Sequence, residues 1–177
     1  MIELILFRHA KTHPAMHGEA DHERRLTQRG WDDARLIAQS LYGIGARPDL
    51  IIHSDALRCS ETLDAIAPTF SNPPSISSPE LYLAESQTIL PHTNLKAQTS
   101  DCKSVLVIGH NPGMQLLASS LAPGSTENEV RIRMGFPTSA AAVFRRTTPE
   151  HQWELHTFVT PKELKQATKK KLGKKHK

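Results

Sequence analysis

Three short stretches of this 177-residue chain place histidine or arginine directly after an apolar run or at the start of the helix that follows it. They are Phe7-Arg8-His9, Ser54 leading to Arg58, and Ile108-Gly109-His110. A histidine can act as a nucleophile toward phosphorus when its attacking nitrogen is neutral and its other nitrogen donates to a fixed acceptor. Phosphoryl transfer is then mainly a matter of positioning and charge stabilisation. Arg8 and Arg58 can fork onto phosphoryl oxygens, and His110 can donate a further hydrogen bond. Arg58 falls in the first turns of an expected helix, where an anion is also favoured. No Gly-x-x-x-x-Gly-Lys loop occurs, so side chains would do what backbone amides do in a P-loop.

These groups need strands to carry them. Ile2–Phe7, Asp49–His53 and Ser104–Ile108 read as buried strands, each closing in polar residues. In a parallel α/β sheet such ends converge on one edge, where ligand sites of open sheets lie. Thr27 is a fitting N-cap for a helix that ends at Gly43 or Gly45, and Gly30 near its start implies close backbone packing against the first strand. A helix follows from Ser54 or Asp55 to Ala67, and another is expected through about Leu95. A short edge strand fits near Ile76. Met114 to Leu121 reads as a helix after Pro112, and Glu127 and Glu129 as part of an acidic loop. Residues 140–144 and 153–159 read as a strand pair. Thr138, just before that pair, is a candidate either for reaching the site or for a turn.

The formal charge is +4, but eight of the 22 basic residues and one of the 18 acidic ones fall within residues 162–177. The remainder holds 14 basic and 17 acidic residues, a net −3. The lysine-rich end is expected to be a solvated tail with no more than a weak attraction for nucleic acid, and it has no aromatic residue for base stacking. Cys59 and Cys102 form no disulfide framework or zinc pattern. His13, His17 and His22 lie in a stretch broken by Pro14 and Gly18, and no bound metal or cofactor is expected. With no membrane span and no signal pattern, a soluble cytoplasmic monomer is the expectation.

Arg8-His9-Ala10, Leu26-Thr27-x-x-Gly30, Ser54-x-x-x-Arg58-x-x-x-Thr62 and Gly109-His110-Asn111-Pro112 occur in the order of the motifs of the histidine phosphatase (phosphoglycerate mutase-like) superfamily, which the chain resembles. The Leu81-Tyr82-x-Ala84 segment, Phe136-Pro137-Thr138 and the stretch Phe158–Leu164 resemble its SixA-type phosphohistidine phosphatase branch. Arg25, where that branch usually has proline, and Ala10, where the wider superfamily has glycine, depart from the pattern. The resemblance implies an α/β fold, a three-layer α/β/α sandwich with a mostly parallel central sheet, over residues 1–164, with 165–177 as a disordered tail. It implies His9 as nucleophile and Arg8, Arg58 and His110 as the phosphate pocket. Arg24 would add a phosphate contact or hold its loop, and Asn111 is a further candidate for phosphate contact. Glu85 is nearest in order to the general acid of other branches, with Asp21 and Glu19 as other candidates.

The expected activity is that of a cofactor-independent phosphatase acting through a phosphohistidine intermediate on phosphohistidine in a protein such as a histidine-phosphotransfer domain. The alternatives are a phosphomonoesterase for a small phosphate ester and a non-catalytic module that reads phosphate.

Overall fold

A computed structural model describes residues 1–93 and 102–174. β1 (Ile2–Arg8) lies inside a six-stranded sheet. β4 (Ser104–Gly109) runs parallel on one side of it and β5 (Ala141–Arg146) antiparallel on the other. Beyond β4 come β2 (Leu50–Ser54) and the edge strand β3 (Ser75–Ser78), both parallel to it; beyond β5 comes β6 (Glu154–Val159). The sheet is therefore parallel over four strands, with an antiparallel pair added at one end. β1, β4 and β2 are side-by-side neighbours, so the three polar strand ends fall on one edge, as the sequence implied.

Alternation along the strands feeds two cores. Ile5, Phe7, Ile51, Leu106 and Ile108 pack against α1 (Gln28–Gly43) and α2 (Leu57–Ile66) through Ala34, Ile37, Leu41, Cys59 and Ile66. Leu4, Leu6, Ile52, Val105 and Val107 pack against α3 (Ser86–His92), α4 (Gly113–Leu121) and α5 (Glu127–Met134) through Ile89, Met114, Leu117 and Ile132. This is the expected three-layer α/β/α sandwich. Each fully buried Leu, Ile or Phe contributes about 1.5–3 kcal/mol of burial. Glu3, the one charge within the β1 run, is matched rather than solvated: its carboxylate takes hydrogen bonds from Arg145 Nε at 2.8 Å and Ser104 Oγ at 3.0 Å. Among the described residues no helix is long and apolar enough to cross a membrane.

Thr27 caps α1, its hydroxyl accepting from the Gly30 amide at 2.9 Å. A Cβ at Gly30 would collide with the backbone carbonyl of Lys11. Gly30→Ala is therefore expected to destabilise by about 2–3 kcal/mol, since overpacking outweighs the gain in helix propensity. Thermal unfolding should show Tm lowered by roughly 5–10 °C.

Three expectations change. The acidic loop around Glu127 is α5; Thr126 and Glu129 form a reciprocal capping box that starts it. α2 has no side-chain cap, and Ser54 Oγ instead accepts from the Ala56 amide at 3.3 Å. The lead-in from Leu81 to Glu85 holds a 3-10 turn at Pro79–Leu81 and a left-handed φ of 48° at Leu83, and the expected helix starts after it at Ser86; Leu95 lies outside the described residues. Finally, residues 165–174 are not an unordered tail but belong to α6 (Pro161–Lys174). Leu164 packs against the α1 core, Lys165 pairs with Asp33 of α1, and Glu163 pairs with Arg131 of α5. Residues 175–177 lie outside the described residues.

Candidate active site

His9 directly follows β1, and its amide donates to the Gly109 carbonyl at 3.0 Å, so β1 and β4 hold it together. Its Nδ1 lies 2.8 Å from the Ala10 carbonyl oxygen. A carbonyl can only accept, so Nδ1 carries the proton and the free lone pair is on Nε2. The Ala10 amide donates to Thr62 Oγ1 at 3.0 Å, and that hydroxyl donates to the Arg58 carbonyl at 2.6 Å. Thr62 thus couples the nucleophile's backbone to the first turn of α2, which explains its eight-residue spacing from Ser54.

Arg58 is buried and shared. Its Nε donates to His110 Nδ1 at 3.3 Å, NH1 to the Asp21 carbonyl at 2.6 Å, and NH2 to the Asp21 carboxylate at 3.0 Å. With Nδ1 accepting, His110 carries its proton on Nε2, 2.9 Å from Ser54 Oγ. The two histidine rings stand 5.1 Å apart. Arg8 NH1 donates to the Phe136 carbonyl at 2.8 Å, while its buried Nε has no hydrogen-bond partner among the described residues. Such a donor awaits an acceptor, and a phosphoryl oxygen is the chemistry that supplies one.

The other sequence candidates take supporting places. Arg24 holds the loop: it donates to Thr12 Oγ1 at 2.6 Å, to the His13 carbonyl at 2.9 Å and to Asp21 at 3.0 Å. Asn111 Nδ2 donates to the same Phe136 carbonyl that Arg8 uses, at 3.1 Å. Both Arg24 and Asn111 line the cavity, as does Thr138. Glu19 is turned into its own loop, accepting from the Met16 amide at 2.9 Å.

Glu85 is not brought to the site. It is exposed at the N-cap of α3 and absent from the cavity wall. The preceding residue explains this, for the Ala84 carbonyl packs so closely on Gly113 that no Cβ would fit there.

The carboxylate that does reach the pocket is Asp21. It binds Arg58, Arg24 and the Tyr82 hydroxyl, which donates at 2.8 Å. These bonds, Tyr82's first, bring its pKa down to about 2. The sequence signal was present in Asp21-x-x-Arg24, but the partner Arg58 lies 37 residues further on.

Electrostatics keep both histidines neutral. Burial, followed by the charges of Arg58, Arg8 and Arg24, lowers His9 to about 4 against the opposing pull of the Ala10 carbonyl. Burial, His9 and Arg58 lower His110 to about 3, with Asp21 opposing. The unfolded chain, with histidines near 6.5, binds protons that the folded chain refuses. The stability held by these neutral rings is thus complete above about pH 6.5 and lost as pH falls toward 4. NMR titration of His9 in the free protein should give a midpoint near 4; a midpoint of 6 or higher would contradict the buried, arginine-flanked setting.

The cavity around these groups has a volume of about 580 Å³ and opens between the strand ends and the loop that carries Asp21.

Comparison with known proteins gives this geometry a context. The model of the histidine phosphatase superfamily (branch 1) matches residues 4–82. The phosphohistidine phosphatase SixA of Escherichia coli is 32% identical over 127 residues, covering 71% of this chain and 77% of that one. A solved structure of the protein histidine phosphatase SixA complexed with tungstate superposes with a TM-score of 0.76 at 26% identity, covering 92% of this chain and 99% of that one. Phosphoglycerate mutase from Plasmodium falciparum shares the fold, with a TM-score of 0.57 at 20% identity over 88% of this chain and 89% of that one. The chain belongs to the histidine phosphatase superfamily, among its SixA-type phosphatases.

Proposed function

We propose that the chain hydrolyses phosphohistidine on a protein, by way of a phosphohistidine formed at His9. The observation that carries the reading is the Nδ1 bond of His9 to the Ala10 carbonyl, inside a pocket of two arginines. It presents an unprotonated Nε2 to the substrate's phosphorus. In the first step the Nε2–P bond forms as the P–N bond to the leaving imidazole breaks. The leaving nitrogen keeps the electron pair, and the substrate ring, protonated from solvent on its other nitrogen, departs as neutral imidazole. Water then attacks phosphorus, the His9 P–N bond breaks, and inorganic phosphate leaves. Arg8 and Arg58 carry the charge on the equatorial oxygens throughout.

The lack of a ready proton donor favours a nitrogen leaving group. Asp21 is held ionised, and Glu85 is outside the cavity. A phosphohistidine ring that is protonated on its other nitrogen departs as neutral imidazole, whose conjugate acid has a pKa near 6.5, and so needs no acid at the departing atom, whereas an alkoxide does. The SixA name of the relatives supports the same substrate class.

The test is phosphate release from three substrates: a phosphohistidine-bearing protein domain, a phosphohistidine peptide and a panel of phosphate esters. The phosphohistidine substrates should lead in kcat/KM. Release from the esters alone would refute the assignment in favour of a small-molecule phosphomonoesterase. Binding of all three without release would make the chain a phosphate-reading module.

A further inference from the structure

The phosphate pocket uses only part of the cavity. On the phosphatase reading, Arg8 and Arg58 account for one phosphoryl group, with His110 holding Arg58. The same cavity is also lined by Lys11, Arg29 and Lys162. They arrive from three places: the residue two beyond His9, the first turn of α1, and the first turn of α6. Both carboxylates in the cavity wall are already matched: Asp21 by Arg58, Arg24 and Tyr82, and the buried Asp33 by Arg29, at 3.4 Å, and Lys165. Lys11 and Lys162 are exposed, and neither has a carboxylate partner among the described residues.

Lys11 and Lys162 thus add unpaired positive charge to a cavity whose carboxylates are already matched, in a chain that is net negative over residues 1–161. Like charges gathered around a concave wall raise the local potential and draw an anion in. A simple phosphate ester would leave Lys11 and Lys162 unused.

We infer that Lys11, Arg29 and Lys162 form a second anion-binding lobe of the cavity, taking a carboxylate carried by the same protein that carries the phosphate. This rests on the phosphatase reading and narrows its substrate: the phosphorylated residue is flanked by acidic side chains. A protein is the better source of that second anion than a small molecule. The helix that carries Lys162 in its first turn also exposes Lys169 and Lys170, and so extends the basic surface beyond what a small molecule can span.

The test compares two phosphohistidine peptides, one with Asp and Glu around the phosphorylated residue and one with Ser and Gln there. A second pair, a small monophosphate and the matching bisphosphate, serves as the other arm. The acidic peptide should have a kcat/KM roughly tenfold above the neutral one at low salt. That ratio should fall roughly threefold with each of Lys11→Gln and Lys162→Gln, survive Lys11→Arg, and collapse near 1 M salt, where screening reaches about 3 Å. Equal kcat/KM for the two peptides would overturn the lobe. A gain confined to the bisphosphate would overturn the protein source. Binding of the same peptides to the His9→Ala protein, followed by calorimetry, reads the lobe without turnover. An acidic preference there, with no phosphate release by the unmodified chain, would strike the phosphatase reading and leave the lobe standing. Equal binding would remove the lobe.

Discussion

His9→Ala should lower kcat by roughly 10⁴-fold or more, and with it remove any acid-labile phosphoprotein intermediate. The size follows from the covalent role. In the proposed mechanism every other group in the pocket serves the attack of Nε2 on phosphorus, so removing the attacking atom should leave Arg8 and Arg58 able to hold phosphate with no reaction. The fold should survive. The His9 amide bond to Gly109 is a backbone bond and remains, and so does the Thr62 bond to the Ala10 amide. Losing a neutral ring held near pKa 4 should also flatten the decline in stability below about pH 6.5. The measurements are single-turnover phosphate release, phosphoprotein trapping in alkali and acid, and thermal unfolding at pH 7 and pH 5. Activity above about one per cent of the unmodified chain would mean another nucleophile.

Arg58→Ala should cost about 10³-fold in kcat/KM, the scale seen when one preorganised donor to a developing anion is removed. Arg58 contributes more than its charge. One guanidinium holds the His110 tautomer through Nε and anchors the Asp21 loop through NH1 and NH2. Arg58→Lys keeps the charge but has no planar fork to make those bonds together, so it should recover less than tenfold of the loss. The electrostatic signature separates this from simple unfolding. Without Arg58, the pKa values of His9 and His110 should move up toward 6.5 and that of Asp21 up from about 2. A folded Arg58→Ala protein with unchanged histidine titrations and near-normal kcat/KM would remove Arg58 from the site.

How far the sequence reaches is clearest from single elements. β1 and β4 were legible because a buried parallel strand is a continuous apolar run and needs no partner to be recognised. The Thr27 cap and the Gly30 contact were legible because caps and close approaches each demand a particular residue type. α5 was missed for a converse reason. Its apolar residues, Val130, Ile132 and Met134, alternate instead of recurring every three or four positions, so helical periodicity was silent, and only Thr126-x-x-Glu129 marked its start. α6 was missed because its lysines read as a solvated run, while the contacts that hold it, with Asp33 and Arg131, come from elements far away in the chain. Glu85 was carried to the site by its order in the chain, and the packing of Ala84 on Gly113 places it elsewhere.

By itself, then, the sequence determined that Arg8, His9, Arg58 and His110 sit at or just after strand ends, because strand patterns and motif spacings are local. The tertiary structure alone decided their states. It put the His9 proton on Nδ1, kept both histidines neutral, tied Asp21 rather than Glu85 to Arg58, and brought Lys162 and Lys11 to the wall of one cavity. Tautomer, charge and the shape of a cavity depend on desolvation and on neighbours distant in sequence, and those exist only once the chain has folded.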